Sequence, residues 1–292
     1  MNDSGQSRSG QPIAVVGATG LQGGATARAL LQAHVPVRAL ARNADSAAAT
    51  ALRGLGADVF PADLEDAAGL RSAFSGVAAV FAMTTPGRDQ RPDVEVAHGH
   101  TIADAAVAAG VPHVVYSSVG GAERHTGIPH FDSKRDVEEY LLEKGLATTF
   151  VRPVFFMDNF SQFMNPTMEG GILVVRMPLP AGVPLQMIAA ADVGAVSAAV
   201  VLEPERVPGG AVEIAGDELT GEQIAEAYRD RFDVPARYEP LPIEVLDDNL
   251  DQQAMFRWFA HPPAYTADFR ATRELAPSVM TFDRWLATQP AL

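Results

Sequence analysis

With 292 residues, 47% of them hydrophobic, the chain has ample material for one large domain or two intimate ones. It contains no cysteine, which excludes disulfides, thiolate catalysis and cysteine-based zinc sites and is consistent with a cytoplasmic protein. The formal net charge of -14, without any basic run, argues against direct binding to nucleic acid or to an anionic membrane, and no segment has the length of a transmembrane span.

The first structured part of the chain follows a polar stretch, residues 1–11, which lacks an apolar signal region and is predicted to be a disordered leader. The apolar residues 13–16 predict a buried parallel strand, and residues 21–31 have the spacing of a helix. The sequence GATGLQGG lies between them. A strand, a glycine-rich turn and a helix in this order are typical of a dinucleotide-binding site.

Three glycines of this motif have separate physical roles. We expect Gly17 to permit a tight turn after the strand, Gly20 to let a pyrophosphate approach the backbone, and Gly23 to let the helix pack closely on the strand. The N-terminus of the helix then offers free N–H groups to the phosphates. The alternative interpretation is a purely structural turn.

The second strand, predicted over residues 35–40, ends where the type of dinucleotide is selected. A site for NAD(H) usually has an acidic residue there, which accepts a hydrogen bond from the ribose 2′-hydroxyl. This chain has Arg42 instead, and a guanidinium group suits a 2′-phosphate. The sequence therefore favours NADP(H) over NAD(H), with Arg38 as a second candidate and a solvated surface arginine as the alternative for Arg42.

Further cofactor contacts are predicted where the third and fourth strands end. Asp63 follows the third strand and suits the adenine amine, with Leu64 covering the ring, but Asp63 is equally suited to cap the helix predicted over residues 67–74. Met83 ends the fourth strand and Thr84 begins the loop after it. Ligands of open α/β sheets bind at this edge.

The alternation of strands and helices predicts a doubly wound parallel sheet, an α/β fold of the Rossmann type, over residues 12–152. His98 and His100 lie on the helix predicted over residues 94–109 and point in different directions, so we predict no metal site. Residues 153–292 predict a smaller α+β subdomain interwoven with the sheet. Its helices are predicted over residues 191–202, 221–232 and 242–251, and residues 282–286 form a terminal segment.

The chemistry is expected around Lys134, in the first turn of the helix predicted over residues 133–143. In short-chain dehydrogenases, a tyrosine four residues before such a lysine donates a proton to the carbonyl. That position holds His130, in a predicted loop, which is either a replacement acid or a surface residue. Tyr140 and Lys144 have the same spacing, but they lie at the wrong end of the helix for an active site.

Five segments make the sequence similar to the NmrA-like proteins, atypical members of the short-chain dehydrogenase superfamily: GATGLQGG, ALARN, HFDSKRDVEEYL, RPVFFMDNF and the C-terminal pair MFRWFA and FDRWL. The resemblance implies a Rossmann domain that binds NADP(H) or NAD(H), with Arg42 at the 2′-phosphate and Lys134 at the nicotinamide ribose. By the same resemblance, the residues at the pyrophosphate are Gly17, Thr19, Gly20, Leu21, Gln22 and Gly23. Those at the nicotinamide end are Pro153, Phe155 and Phe156.

Two functions are compatible with this resemblance. The first is a dinucleotide-sensing regulator with little or no turnover, which acts through a protein partner, because the usual tyrosine is absent. Residues 84–96 and 118–131 are then expected to order when the dinucleotide binds. The second function is an NADPH-dependent reductase of a small-molecule quinone, enone or related carbonyl or imine compound, which uses Lys134 and His130.

Two groups of side chains near these residues have alternative interpretations. Ser117 and Ser118 end the fifth strand, where a hydroxyl either polarises a carbonyl or satisfies backbone groups. The apolar residues around 155–163 either line a substrate pocket or form plain core. They are Phe155, Phe156, Met157, Phe160 and Phe163.

Overall fold

The computed structural model describes residues 10–87 and 91–290. Residues 1–9 of the predicted disordered leader lie outside the described residues. The chain forms two compact units, each assembled from three stretches. The first unit comprises the chain up to Ser117 together with residues 136–150 and 197–210, and the second comprises residues 118–135, residues 151–196 and the chain from Ala211 onward.

The strands, in chain order, are β1 (Ile13–Val15), β2 (Val37–Ala41), β3 (Asp58–Pro61), β4 (Ala79–Met83), β5 (Val114–Ser117), β6 (Thr148–Pro153), β7 (Phe155–Phe156), β8 (Thr167–Glu169), β9 (Ile172–Met177), β10 (Leu185–Ile188), β11 (Ala211–Ile214), β12 (Asp217–Leu219) and β13 (Ala236–Pro240). The α-helices are α1 (Leu21–Gln32), α2 (Ala47–Gly54), α3 (Ala67–Phe74), α4 (Pro92–Ala109), α5 (Pro129–Glu143), α6 (Ala190–Leu202), α7 (Gly221–Phe232), α8 (Leu250–Phe259), α9 (Phe269–Leu275) and α10 (Phe282–Ala287).

Strands β1 to β6 and β11 form a seven-stranded sheet of order β11-β6-β5-β4-β1-β2-β3. β1 lies between β2 and β4, and both pairings are parallel, with Ile13 opposite Val37 on one side and Ala79 on the other. All residues of β1 are buried, as expected for a parallel strand covered on both faces. The strand order reverses at β1, so its carboxyl end is a topological switch point, where ligands of α/β proteins bind. The predicted doubly wound Rossmann-type sheet is confirmed.

Most helices lie close to where the sequence predicts them, but α9 was not predicted, and the starts of α5 and α8 differ by several residues. α5 begins at Pro129 rather than at residue 133, because proline suits the first helical position, so His130 lies in a helix and not in a loop. The helix predicted over residues 242–251 is wrong. α8 begins at Leu250, where the Asn249 side chain accepts a hydrogen bond of 3.1 Å from the backbone N–H of Gln252. In the described part of the chain, no helix is long and apolar enough to cross a membrane.

The second unit contains two three-stranded sheets, of order β12-β10-β7 and β13-β9-β8. Its core is aromatic: the ring of Phe155 meets those of Phe160, Phe256 and Phe259 at centroid distances of 6.2, 6.4 and 6.0 Å. The interpretation of residues 155–163 as plain core therefore holds for Phe155 and Phe160.

Candidate functional site

The glycine-rich turn of the first unit is folded so that a side chain on Gly23 would not fit. Gly17 has a positive φ of 66°, and its carbonyl oxygen accepts a hydrogen bond of 2.9 Å from the N–H of Gly20. A Cβ atom on Gly23 would overlap that same carbonyl and would lie 2.7 Å from the oxygen of Val16. The turn is therefore compact, and α1 approaches β1 closely, as the motif predicted.

The N-terminus of α1 is open to an anion. Its N-cap is Gly20, which has no side chain to accept hydrogen bonds from the first-turn N–H groups, and the first turn contains no acidic residue. Thr19 and Gly20 are exposed, and Leu21 is 43% exposed. These N–H groups and the positive end of the helix dipole form the kind of site that binds phosphate.

The side chain of Gln22 has a partner that the motif did not reveal. Its Oε1 accepts a hydrogen bond of 2.6 Å from the hydroxyl of Ser117, at the end of β5. The Ser117 hydroxyl was predicted either to polarise a carbonyl or to satisfy backbone groups. In the structure it satisfies a polar group of the protein, but that group is a side chain and not the backbone. The role of Gln22 at a pyrophosphate stays a prediction.

The two arginines considered for a 2′-phosphate have different environments. Arg38 donates to the carbonyl oxygens of Ala73 and Ser75 at 2.7 and 3.0 Å and lies 3.5 Å from the carboxylate of Asp58. Arg42 is exposed just after β2 and forms no side-chain hydrogen bond or ion pair with any residue that the structure describes. Arg42 is therefore available to an external anion, whereas the guanidinium group of Arg38 is engaged in contacts within the first unit.

Asp63 does not cap α3, as one of its two interpretations required. Asp66 is the N-cap residue, and its carboxylate accepts hydrogen bonds from the N–H groups of Ala68 and Gly69 at 3.1 and 3.0 Å. Asp63 accepts a bond of 3.0 Å from the N–H of Glu65 and is exposed. The adenine contact of Asp63 stays a prediction, as does that of the half-buried Leu64.

Met83 and Thr84 end β4 beside the glycine turn. The sulfur of Met83 would lie 3.1 Å from a Cβ atom on Gly17, so Met83 packs against the turn. The Thr84 hydroxyl donates to Glu95 at 3.1 Å and lies 2.7 Å from the hydroxyl of Tyr116, in a buried network. Met83 thus supports the turn, and the dinucleotide contacts of both residues stay predictions.

The second unit contains His130 and Lys134, which are one turn apart on the same face of α5. Lys134 is buried. Nδ1 of His130 lies 2.6 Å from Oδ2 of Asp251, although the contact does not have the geometry of a hydrogen bond. Oδ1 of Asp251 accepts a hydrogen bond of 2.9 Å from the backbone N–H of His130. A half-buried imidazole, in contact with a carboxylate, therefore lies one helical turn before Lys134.

Asp251 is an ionised partner for this imidazole. Burial raises the pKa of the Asp251 carboxyl, but its contacts with the ring and with the backbone N–H of His130 outweigh burial and hold the pKa below its usual value. Sequence reasoning placed Asp251 at the end of a helix and gave it no role. The N-cap signal of Asn249 would have located the start of α8, but nothing local joins α8 to α5.

The loop before α5 is anchored within the second unit. The guanidinium group of Arg124 donates to the carboxylate of Glu213, the hydroxyl of Thr266 and the carbonyl of Ala264. Burial raises the pKa of Glu213, while the N–H of Thr266 and the charge of Arg124 act in the opposite direction. The predicted ordering of residues 118–131 on dinucleotide binding stays a prediction, as does that of residues 84–96, of which 88–90 lie outside the described chain.

The remaining predicted residues of the second unit differ in exposure. Pro153 and Phe155 are buried, Phe156 is half-buried, and Phe163 is 82% exposed. The buried hydroxyl of Ser118 has no hydrogen-bond partner among the residues described. The contacts of Pro153, Phe155 and Phe156 with a nicotinamide stay predictions.

The rejected pair Tyr140 and Lys144 belongs to a surface cluster of the first unit. The Tyr140 hydroxyl donates to Asp104 at 3.2 Å, and Nζ of Lys144 lies 2.6 Å from the same carboxylate. His100 stacks on Tyr140 with ring centroids 3.7 Å apart. These contacts give both residues of the pair a structural partner.

The fold and the glycine turn define a Rossmann-type α/β protein. A family model described as the NmrA-like family matches residues 9–286, and the chain belongs to this family. The NAD(P)H azoreductase of Xenophilus azovorans is 32% identical over 244 residues, which cover 83% of this chain and 82% of that protein.

Two solved structures share the fold over almost the whole chain. NmrA, a negative transcriptional regulator, has a TM-score of 0.80 at 23% identity, with 95% of each chain covered. The NADPH-dependent quinone oxidoreductase QOR2 of Escherichia coli, solved with NADPH, has a TM-score of 0.77 at 24% identity, with 94% of this chain and 98% of that chain covered. A regulator and a reductase thus have the same architecture, so the function must be argued from the site.

Proposed function

We propose that the protein is an NADPH-dependent reductase of a conjugated acceptor, a quinone, an enone, an imine or an azo compound. The observation that carries the proposal is the position of His130, one helical turn before the buried Lys134, with its ring held by a carboxylate. A sensor that performs no chemistry has no need of a held proton-transfer group. The 32% identity to an NAD(P)H azoreductase supports the same function.

The phosphate groups of the dinucleotide are assigned to residues of the first unit. The first-turn N–H groups of α1 bind the pyrophosphate, and Arg42 binds the 2′-phosphate through its exposed guanidinium group. The turn before this helix is compact, because a Cβ atom on Gly23 would overlap the carbonyl of Gly17. NADPH is preferred to NADH because a guanidinium group, and not a carboxylate, directly follows β2.

A bound NADPH supplies a hydride to the acceptor. Lys134 binds the hydroxyls of the nicotinamide ribose through its ammonium group, which is the role that the family resemblance implies. His130 donates a proton from Nε2 to the oxygen or nitrogen atom of the acceptor. Conjugated acceptors suit this site, because hydride transfer to them requires positioning more than a strong acid.

The test follows NADPH oxidation by absorbance with a panel of quinones, enones, imines and azo compounds. We expect wild-type turnover of at least one class, and a loss of about 100-fold in kcat for His130→Ala, the usual contribution of a general acid. Lys134→Ala should also raise the KM for NADPH. Lys144→Ala is the matched control, because this exposed lysine pairs with Asp104 and should leave turnover unchanged.

The second candidate function is the dinucleotide-sensing regulator, and the absence of the tyrosine favours it. The same experiment separates the two functions. Tight NADPH binding without turnover of any acceptor would overturn the reductase and leave the regulator, whose protein partner would then be sought with the NADPH-bound protein.

A further inference from the structure

The carboxylate of Asp251 contacts His130 at two places. One oxygen accepts the backbone N–H of His130 at 2.9 Å, and the other lies 2.6 Å from Nδ1 of the ring. Nε2 of His130 has no hydrogen-bond partner in the described chain. The two ring nitrogens are therefore unequal: one faces a carboxylate, and the other remains for an external group.

Packing between α8 and α5 determines where this carboxylate lies. Asp251 and Trp258 are seven residues apart and share one face of α8. The Trp258 ring meets the edge of Phe131 at a centroid distance of 5.6 Å, and Phe131 meets the ring of His130 at 4.7 Å. Phe131 is buried, so this contact closes one side of the imidazole. Trp258 and Asp251 of α8 thus both contact the first turn of α5, one with an aromatic ring and the other with a carboxylate.

We infer that Asp251 is a positioning residue for the proposed reduction: it keeps a hydrogen on Nδ1 of His130 and so confines proton exchange with the acceptor to Nε2. The inference rests on the proposed function and adds to it the residue that positions the His130 ring for proton donation. Asp251 acts through His130 alone and touches neither acceptor nor dinucleotide.

A hydride and a proton together reduce the acceptor by two electrons. The acceptor takes a hydride from NADPH at carbon or nitrogen and a proton from Nε2 at its heteroatom, and NADP⁺ and the reduced acceptor leave. The imidazole then remains neutral with its hydrogen on Nδ1, facing the carboxylate, and solvent returns a proton to Nε2. Asp251 on α8 contacts the ring, and the charged residues closest to His130 along its own helix are Asp132 and Lys134.

The variant Asp251→Asn is a sharp test because it is isosteric. The backbone N–H of His130 requires an acceptor, so the single oxygen of the introduced amide stays on it and the NH₂ group faces Nδ1. Two N–H groups that face each other at this distance repel, so the amide disfavours a hydrogen on Nδ1. The ring hydrogen is then on Nε2, and the docked ring does not hold hydrogens on both nitrogens. Asp248→Asn is the matched control, since that carboxylate is exposed before α8.

Two measurements apply to the full-length protein. The first is the ¹⁵N chemical shifts of the His130 ring, assigned with His130→Gln, which report the tautomer. We expect a hydrogen on Nδ1 in wild type and in Asp248→Asn, and on Nε2 in Asp251→Asn. The second is steady-state kinetics, in which Asp251→Asn should lower kcat by about 10- to 100-fold. KM for NADPH and the melting temperature should stay close to those of wild type.

Three results would contradict the role proposed for Asp251. An unchanged tautomer in Asp251→Asn overturns the inference, whatever the kinetics. A changed tautomer with wild-type kcat also overturns it, because the ring position would then have no catalytic consequence. Absence of turnover in the wild type overturns the proposed reduction and with it the catalytic role, and the ring shifts then show separately whether Asp251 holds the imidazole.

Discussion

The hydroxyl of Ser117 donates a hydrogen bond of 2.6 Å to Oε1 of Gln22, a residue 95 positions earlier in the chain. Ser117 ends β5, and Gln22 lies in the first turn of α1, directly after the glycine turn. The bond therefore ties the carboxyl end of one strand to the helix that is assigned to the pyrophosphate. It limits the freedom of α1 without occupying the first-turn N–H groups.

Ser117→Ala should weaken NADPH binding by about 2- to 10-fold, because a hydrogen bond of this kind contributes roughly 0.5–1.5 kcal/mol. Fluorescence titration with NADPH measures the effect. Ser118→Ala is the control: its buried hydroxyl has no partner among the described residues, so its removal should leave affinity unchanged and the melting temperature equal or higher. Equal affinities for Ser117→Ala and wild type would show that the bond does not support the turn.

Gly23→Ala should abolish measurable NADPH binding and lower the free energy of unfolding by about 1–3 kcal/mol. The added Cβ would overlap the carbonyl of Gly17, so the turn must open. Urea denaturation and NADPH titration report the two effects. Gly54→Ala, at the end of α2 with no atom near the added Cβ, should bind NADPH normally. A stable Gly23→Ala protein with normal affinity would contradict the compact turn.

Arg42→Ala should weaken NADPH binding by about 10- to 100-fold and leave NADH binding within about two-fold, because a hydrogen bond to a charged group contributes roughly 1.5–3 kcal/mol. Arg38→Ala should lower the melting temperature and keep the ratio of the two affinities, since Arg38 binds carbonyls at the end of α3. Parallel titrations with both dinucleotides measure the ratio. An unchanged ratio in Arg42→Ala would rule out Arg42 as the selector.

Asp192→Asn should stabilise the protein at neutral pH. Burial raises the pKa of Asp192 from 3.8 to about 6, against the hydrogen bond from the Met280 N–H and the charge of Arg284. The folded state thus binds this proton more tightly than the unfolded state. Its contribution to stability is present below about pH 4 and is lost as the pH rises through 6.

At pH 7.5, Asp192→Asn should therefore raise the free energy of unfolding by about 1–3 kcal/mol, because the amide keeps the Met280 bond without the charge. At about pH 4 the two proteins should be equally stable. Urea denaturation at several pH values is the measurement, and Asp283→Asn, an exposed carboxylate on α10, should show no such difference. A constant difference across the pH range would contradict the shifted pKa.

The sequence by itself determined the α/β class, the doubly wound sheet and the geometry of the glycine turn. These features are encoded locally: strand, turn and helix are adjacent, and their hydrophobic spacing reports which faces are buried. Local signals were also present where the predictions were wrong. Pro129 suits the first position of α5, and Asn249 caps α8, although both starts were predicted elsewhere.

Only the tertiary structure decided which side chains meet. Asp251 lies 121 residues after His130, and Ser117 lies 95 residues after Gln22, so no spacing within a motif joins either pair. No motif predicted the partners of Arg38 either, which are the carbonyls of Ala73 and Ser75. These bonds distinguish Arg38 from the exposed Arg42. Periodicity reports which face of an element is buried, whereas the packing of distant elements selects the contact partner. For that reason the sequence singled out His130 and Lys134 by their spacing, although it predicted His130 in a loop, and the tertiary fold brought the Asp251 carboxylate to the imidazole.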